Sequence, residues 1–323
     1  METTIATFTD LVRTGLAEVE DRMRARPSEH HPQLDAALEH LLASGGKRIR
    51  PTLVLLIGGM LGGEHSRLVT LSAAIEMLHT ATLVHDDLID GSLLRRGIPT
   101  LNSQWSAGAT VLTGDYLFSR AAHLASQTGS LSLMDSFART LMTIVNGEIT
   151  QLFHTRTGDL HRDYFDRIYA KTASLFELAG EGAAVLSPCD GSTVETLKRF
   201  GYRLGIAFQI VDDVLDFIGD EEAVGKPIAS DLRQGIVTLP ALIYQELNPA
   251  DRSLQDLFEG RPVDARTVTR LADAIRSSGA IGQALDQARS YAGAAQELLE
   301  PMPDLPERSA LHDLARHIVH RTA

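Results

Sequence analysis

IEMLHTATLVHDDLIDGSLLRRG, Ile75 to Gly97, decides how this chain is read. An apolar run with helical spacing leads into three carboxylates, Asp86, Asp87 and Asp90, then Gly91, then Arg95 and Arg96. A helix advances about 100° per residue, so residues one turn apart share a face, and the three carboxylates are expected to point into one pocket. That arrangement is poor for stability. Like charges at this spacing repel, and anions at a helix C-terminus oppose the macrodipole. Water or a cation must neutralise them. Oxygen-only donors in a near-rigid array suit Mg²⁺, which takes one or two carboxylates together with phosphate oxygens. A solvated acidic helix end would carry the same residues, so this motif alone leaves both readings open.

The pattern occurs a second time. GIAFQIVDDVLDFIGD, Gly205 to Asp220, carries an apolar run into Asp212, Asp213 and Asp216. Phe208, Ile210, Val211, Val214, Leu215, Phe217 and Ile218 leave little polar face, which predicts a buried helix. Acidic residues are almost never buried without a partner. Two such helices facing each other would cage several divalent ions and a phosphate-rich ligand.

The rest of the chain bounds the answer. Its 323 residues contain no Ser/Gly/Pro-rich tract, charge block or low-complexity run. Helical periodicity recurs in nearly every segment, so one large all-α domain over residues 1–323 is expected. A formal net charge of −12 argues against general nucleic-acid binding, which wants a basic face. The single cysteine, Cys189, has no internal partner, as suits a reducing cytoplasm. METTIATF lacks the basic and apolar regions of a signal peptide. The apolar run Leu53 to Leu61 falls far short of the ~20 residues of a membrane span.

Cations stand at two further places. GGKRIRP, Gly45 to Pro51, sets two glycines and Lys47, Arg48 and Arg50 beside a helix start, a good anion site without the spacing of a Walker A loop. Lys171, in an otherwise apolar helix predicted from Tyr164 to Gly180, needs an anionic partner, and a diphosphate would serve. Arg95 and Arg96 offer the bidentate fork that phosphate prefers, though an ion pair with the acidic helix end would use them equally well.

DDLID with LLRRG, GGKRIRP, Gly114–Asp115, GEITQ (Gly147 to Gln151), KTA (Lys171 to Ala173), FQIVDDVLD and GKP (Gly225 to Pro227) together resemble the trans-isoprenyl diphosphate synthases, the polyprenyl synthase family, from about Gly45 to Pro240. The resemblance implies a single-domain helical bundle around a central cavity. It implies head-to-tail condensation of isopentenyl diphosphate with an allylic diphosphate. Three Mg²⁺ ions per site would be held by Asp86, Asp87, Asp90, Asp212, Asp213 and Asp216. It assigns Lys47, Arg50, His79 and Arg96 to isopentenyl diphosphate, and Arg95, Lys171 and Lys226 to the allylic diphosphate. Gln209 and the backbone at Lys171–Thr172 would stand beside the developing carbocation, and Gln151 at the allylic site. Asp231 matches an outer acid, and Arg321 is the candidate for the basic C-terminal residue that closes the site in some members. Two positions depart from some members: His154 stands where they have an acidic metal partner and Ile236 where they have a lysine.

Product length is expected to depend on residues preceding Asp86. Ala81 and Thr82 are small where short-chain members often carry an aromatic plug, Met77 and Leu78 lie deeper, and Met142 or Val145 would form a floor. With a helix rise of 1.5 Å per residue, this predicts a product of about C30 to C40. Alternatives are a shorter-chain farnesyl or geranylgeranyl synthase, and the catalytic subunit of a two-component heptaprenyl synthase. A class I terpene cyclase would leave the Lys47/Arg50 site unexplained, and a regulatory subunit would have lost one Asp motif. The family implies a homodimer, through helices near Gly108 to Ala125.

Overall fold

The computed structural model describes residues 8–25, 31–43, 45–95, 97–153, 158–219, 228–261 and 263–321. Helices run α1 Arg13–Arg24, α2 Pro32–Ala43, α3 Ile49–Met60, α4 His65–Ile89, α5 Leu101–Gln104, α6 Ala107–Gln127, α7 Leu131–Phe153, α8 Leu160–Ile168, α9 Ser174–Val185 and α10 Gly191–Ile218. They continue as α11 Ser230–Arg233, α12 Leu239–Leu247, α13 Arg252–Phe258, α14 Ala265–Ser277, α15 Ala280–Glu297 and α16 Pro306–His320. Strand among the described residues is limited to the hairpin β1 Leu94–Arg95 and β2 Ile98–Pro99. The all-α expectation holds. The residues group into two compact units, 1–140 with 175–199 and 301–313, and 141–174 with 200–300 and 314–323.

The first unit is built on α4, which packs along α6, α3 and α1. Leu71, Ala74, Ile75, Met77, Leu78 and Ala81 are fully buried on it. Each large apolar side chain so buried contributes about 1.5–3 kcal/mol. α4 is long and apolar enough to cross a membrane, but 72% of its most apolar window is buried inside the protein, so it serves as a core helix. Glu76, in the middle of this apolar run, is paired with Arg48 at 2.9 Å. The helix ends at Gly91, φ +64°, where Ser92 N–H reaches the Asp87 carbonyl and Gly91 N–H the Leu88 carbonyl. This is a Schellman end, which needs a residue that tolerates the left-handed region. Gly114 serves another purpose: a methyl group there would overlap the His85 imidazole, so the glycine sets how closely α6 approaches α4.

In the second unit α12 packs on α15, whose Ala280, Ala284, Ala288 and Ala292 are buried at one-turn spacing and allow close approach. The C-terminal half of α10 is buried through Leu204, Ile206, Ile210, Val211, Val214 and Phe217. The helix expected over Tyr164 to Gly180 is instead α8, a π-turn at Tyr169–Ala173, and α9. Gly147 fits against this turn, because a methyl group there would overlap Ala170.

Candidate active site

The first Asp motif does not present three equivalent carboxylates. Asp86 is half-buried and Asp90 exposed, whereas Asp87 is buried. Asp86 and Asp90 lie about 40° apart around the helix, while Asp87 is turned about 100° from Asp86 toward the protein. The hairpin after Gly91 brings Arg95 back over the helix end. Its Nε donates to both Asp87 oxygens at 2.9 Å, and its Nη2 lies 2.8 Å from Oδ1. Asp87, expected to ligate metal, and Arg95, expected to meet a diphosphate, hold each other in this structure, because a buried carboxylate demands a cation. Arg96 lies outside the described residues.

The three cations of GGKRIRP separate. Lys47 is exposed. Arg48, in the left-handed region at φ 47°, caps the start of α3 and turns inward to Glu76 and Glu20. Arg50 is buried with its guanidinium 4.9 Å above the Phe176 ring. His79 is half-buried on α4.

The second Asp motif repeats the division. Asp212 is exposed, with the Arg321 guanidinium 4.0 Å away. The Arg321 side chain is 7% exposed and lies 4.2 Å from the Phe208 ring centre; burial pulls it below its ordinary value, against the pull of Asp212. Asp213 is buried; its Oδ2 accepts from Tyr164 Oη at 2.8 Å and its Oδ1 from Gln209 Nε2 at 2.7 Å. Burial pushes the Asp213 carboxyl up to about 7, with the Arg167 guanidinium opposing and Asp231 assisting. Burial, then Asp213, also raises the Tyr164 phenol well above its usual range. Asp216 accepts from Ser230 N and Oγ, at 3.1 and 2.8 Å, and from Asp231 N at 3.1 Å, so it caps α11. Asp213 and Asp216, also expected to ligate metal, accept from protein donors here.

Around Asp213 the catalytic candidates meet. Thr172 Oγ1 donates to Gln209 Oε1 at 2.6 Å. Thr172 lies within the π-turn, where wider winding disrupts the regular α pattern; such turns frequently mark functional sites. Ser174 Oγ takes the Ala170 carbonyl at 2.9 Å. Lys171 Nζ lies 3.0 Å from Glu148 of GEITQ, so its anionic partner in this structure is a protein carboxylate. Within the second unit a cavity of about 680 Å³ is lined by Gln151, Tyr164, Arg167, Tyr169 and Ile236, among others. Arg167 donates to the Val237 carbonyl and lies 5.6 Å above the Tyr164 ring. His154 and Lys226 lie outside the described residues. Tyr164 and Arg167 were not anticipated from the sequence. The spacing of seven between Tyr164 and Lys171, two helical turns, was the available signal.

Met142 and Val145 do not form an interior floor: they are 63% and 43% exposed. Ala81 has no exposed surface, and Thr82 is half-buried, so of the two only Thr82 offers surface to a growing chain.

Among the described residues no three His, Cys, Asp or Glu side chains converge on one point. Mg²⁺ takes one or two carboxylates and leaves its other positions to water and phosphate. Asp86 with Asp90, and Asp212, offer that donor set. The family model for polyprenyl synthetase matches residues 31–275. The chain belongs to the polyprenyl synthetase family. Polyprenyl synthetases are magnesium-dependent prenyltransferases, and prenyl transfer is the activity of this chain. This polyprenyl synthetase is 38% identical over 308 residues to heptaprenyl diphosphate synthase component 2 of Geobacillus stearothermophilus, across 95% of each chain. It is 34% identical over 284 residues to octaprenyl diphosphate synthase of Escherichia coli strain K12, across 87% of this chain and 88% of that one. A crystal structure of polyprenyl synthase from Caulobacter crescentus CB15, complexed with calcium and isoprenyl diphosphate, superposes with a TM-score of 0.89 at 35% identity, over 99% of this chain and 98% of that one.

Proposed function

We propose that this polyprenyl synthetase condenses isopentenyl diphosphate head to tail with an allylic diphosphate, giving an all-trans polyprenyl diphosphate. The observation that carries the reading is the division within each Asp motif. Asp87, Asp213 and Asp216 accept from protein donors, whereas Asp90 and Asp212 are exposed and Asp86 is half-buried, with Arg321 4.0 Å from Asp212. Asp86 and Asp90 of the first unit, and Asp212 of the second, would each hold Mg²⁺, with three ions expected by family resemblance. Bound Mg²⁺ would supply positive charge to the departing diphosphate.

Lys47, Arg50, His79 and Arg96 hold isopentenyl diphosphate. Arg95, Lys171 and Lys226 serve the allylic diphosphate. Arg95 and Lys171 each hold a carboxylate in this structure, so taking up a diphosphate exchanges one anion for another. The allylic C–O bond breaks and the diphosphate leaves with the electron pair. The double bond of isopentenyl diphosphate attacks the allylic cation, and a proton passes to the released diphosphate. Gln209 and the π-turn at Thr172 stand beside the cation and stabilise it electrostatically.

A product of about C30 to C40 follows from the absence of an aromatic plug in the turn before Asp86. It also accords with the hepta- and octaprenyl names of the relatives. The enzyme works in the cytoplasm as a homodimer; in the second unit, Met142, Val145, Ile149 and Leu152 form an exposed apolar stripe on α7 suited to a second copy. A two-component enzyme is the second reading, favoured by the relative named as component 2.

The test is elongation of farnesyl diphosphate with isopentenyl diphosphate by the purified chain. Magnesium-dependent elongation that Asp212→Ala abolishes supports the reading. A chain inactive alone and activated by a small partner subunit favours the two-component form. Inactivity under both conditions, in folded protein, overturns the proposal.

A further inference from the structure

We propose that Tyr164 is a positioning residue for prenyl transfer, holding the Gln209 amide in one orientation through Asp213 so that the amide oxygen faces the reacting centre. The inference rests on the function proposed above. A glutamine amide has two orientations of nearly equal shape and opposite polarity. A carboxylate only accepts hydrogen bonds, whereas a hydroxyl donates or accepts. Thr172 alone therefore leaves the Gln209 amide free to turn over. The Asp213 carboxylate does not: with Gln209 Nε2 facing its Oδ1, at 2.7 Å, Oε1 turns toward Thr172 Oγ1, at 2.6 Å.

Asp213 needs its own anchor, because a carboxylate turns readily about its last torsion. Tyr164 supplies it, with Oη 2.8 Å from Oδ2. The phenol is 1% exposed and its ring stands edge-on to Phe165, with centroids 5.2 Å apart. Arg167 lies over the other part of the ring and is itself held by the Val237 carbonyl. Three hydrogen bonds thus lead from α8 through Asp213 and Gln209 to the π-turn. A cation forming beside Oε1 meets the negative end of a fixed amide dipole, which needs no reorganisation during the reaction. With the amide turned over, the same cation would meet two N–H groups.

Tyr164→Phe keeps the ring and removes the donor. The readout is the ratio of elongation rates for an allylic diphosphate and its 2-fluoro analogue, in which fluorine withdraws electron density and destabilises the cation. That ratio does not depend on the fraction of folded enzyme. The expected result is a kcat at least about tenfold lower, by analogy with loss of one oriented dipole. KM for isopentenyl diphosphate should stay within about twofold, because Tyr164 is not placed among its ligands. The fluorine ratio should rise several-fold, and 4-aminophenylalanine at position 164, which restores a donor, should return it toward the wild-type value. An unchanged kcat, or a lower kcat with an unchanged fluorine ratio, overturns the inference while leaving the proposed function standing. Failure of the wild-type chain to elongate under any condition overturns both.

Discussion

Asp87→Asn, compared with Asp86→Asn, separates a carboxylate that holds the protein together from one that faces the reaction. The Asp87 side chain is 9% exposed and that of Arg95 31%, with contacts at 2.8–2.9 Å from Nε and Nη2. Hydrogen bonds to charged groups contribute about 1.5–3 kcal/mol, and the partly wet guanidinium lowers the figure for the pair to about 2 kcal/mol. Asparagine keeps one acceptor oxygen, so Asp87→Asn should cost about 1–2 kcal/mol. At about 2–4 °C per kcal/mol, an upper range for a chain of this size, Tm falls by roughly 2–8 °C. Asp86→Asn should leave the metal-free Tm within about 1 °C, because it removes one like charge from a crowded helix end. The assay is thermal unfolding in chelator and again in saturating Mg²⁺. Asp86→Asn should lose most of the Mg²⁺-induced rise in Tm, and Asp87→Asn should keep most of it. If Asp87→Asn unfolds like wild type in chelator and loses the Mg²⁺ response, the division of roles is wrong.

Other consequences follow from single contacts. Thr82→Phe should shorten the product with little loss of stability, whereas Ala81→Phe should cost about 1–3 kcal/mol by overpacking; product sizing and urea melts separate them. Asp213 titrates near 7 when folded, above its ordinary value, so the folded state binds the extra proton between about pH 4 and pH 7. Stability of the metal-free protein should therefore fall as pH rises through that window, by up to about 1.4 kcal/mol per pH unit. Asp213→Asn should flatten that slope in urea melts across the same range. Arg48→Ala leaves Glu76 buried without its cation and should cost about 3–5 kcal/mol by denaturant titration, with Glu76→Gln in the same chain recovering part of it.

The sequence made most of the helical frame legible. The apolar periodicity before Asp86 and Asp212 marks the two buried helices, and Gly91 marks the end of the first. The division within each Asp motif was legible in principle, since about 40° separates Asp86 from Asp90 and about 100° separates Asp86 from Asp87. Which face turns inward depends on neighbours distant in sequence. Arg95 reaches Asp87 only because a two-residue hairpin folds back, and strands that short leave no alternation to read. Arg48 and Glu76 are 28 residues apart, and only the buried acid in an apolar run hinted at a cation. The π-turn at Tyr169–Ala173 was hidden because its surroundings are apolar on nearly all sides, so one extra residue per turn disturbs no visible period. Met142 and Val145 look like core residues by composition, and exposure in the folded chain shows that they are not.

The most direct test of the central claim is product sizing with the single purified chain. Isopentenyl diphosphate, farnesyl diphosphate and Mg²⁺ are incubated with it, and the dephosphorylated products are separated by length. The account predicts an all-trans series ending at about C30 to C40, as a chain without an aromatic plug at Ala81 and Thr82 allows. A series ending at C20 would retain prenyl transfer and contradict the reading of those two residues. No elongation at all, by folded chain in Mg²⁺ with or without a small partner subunit, would contradict the account as a whole.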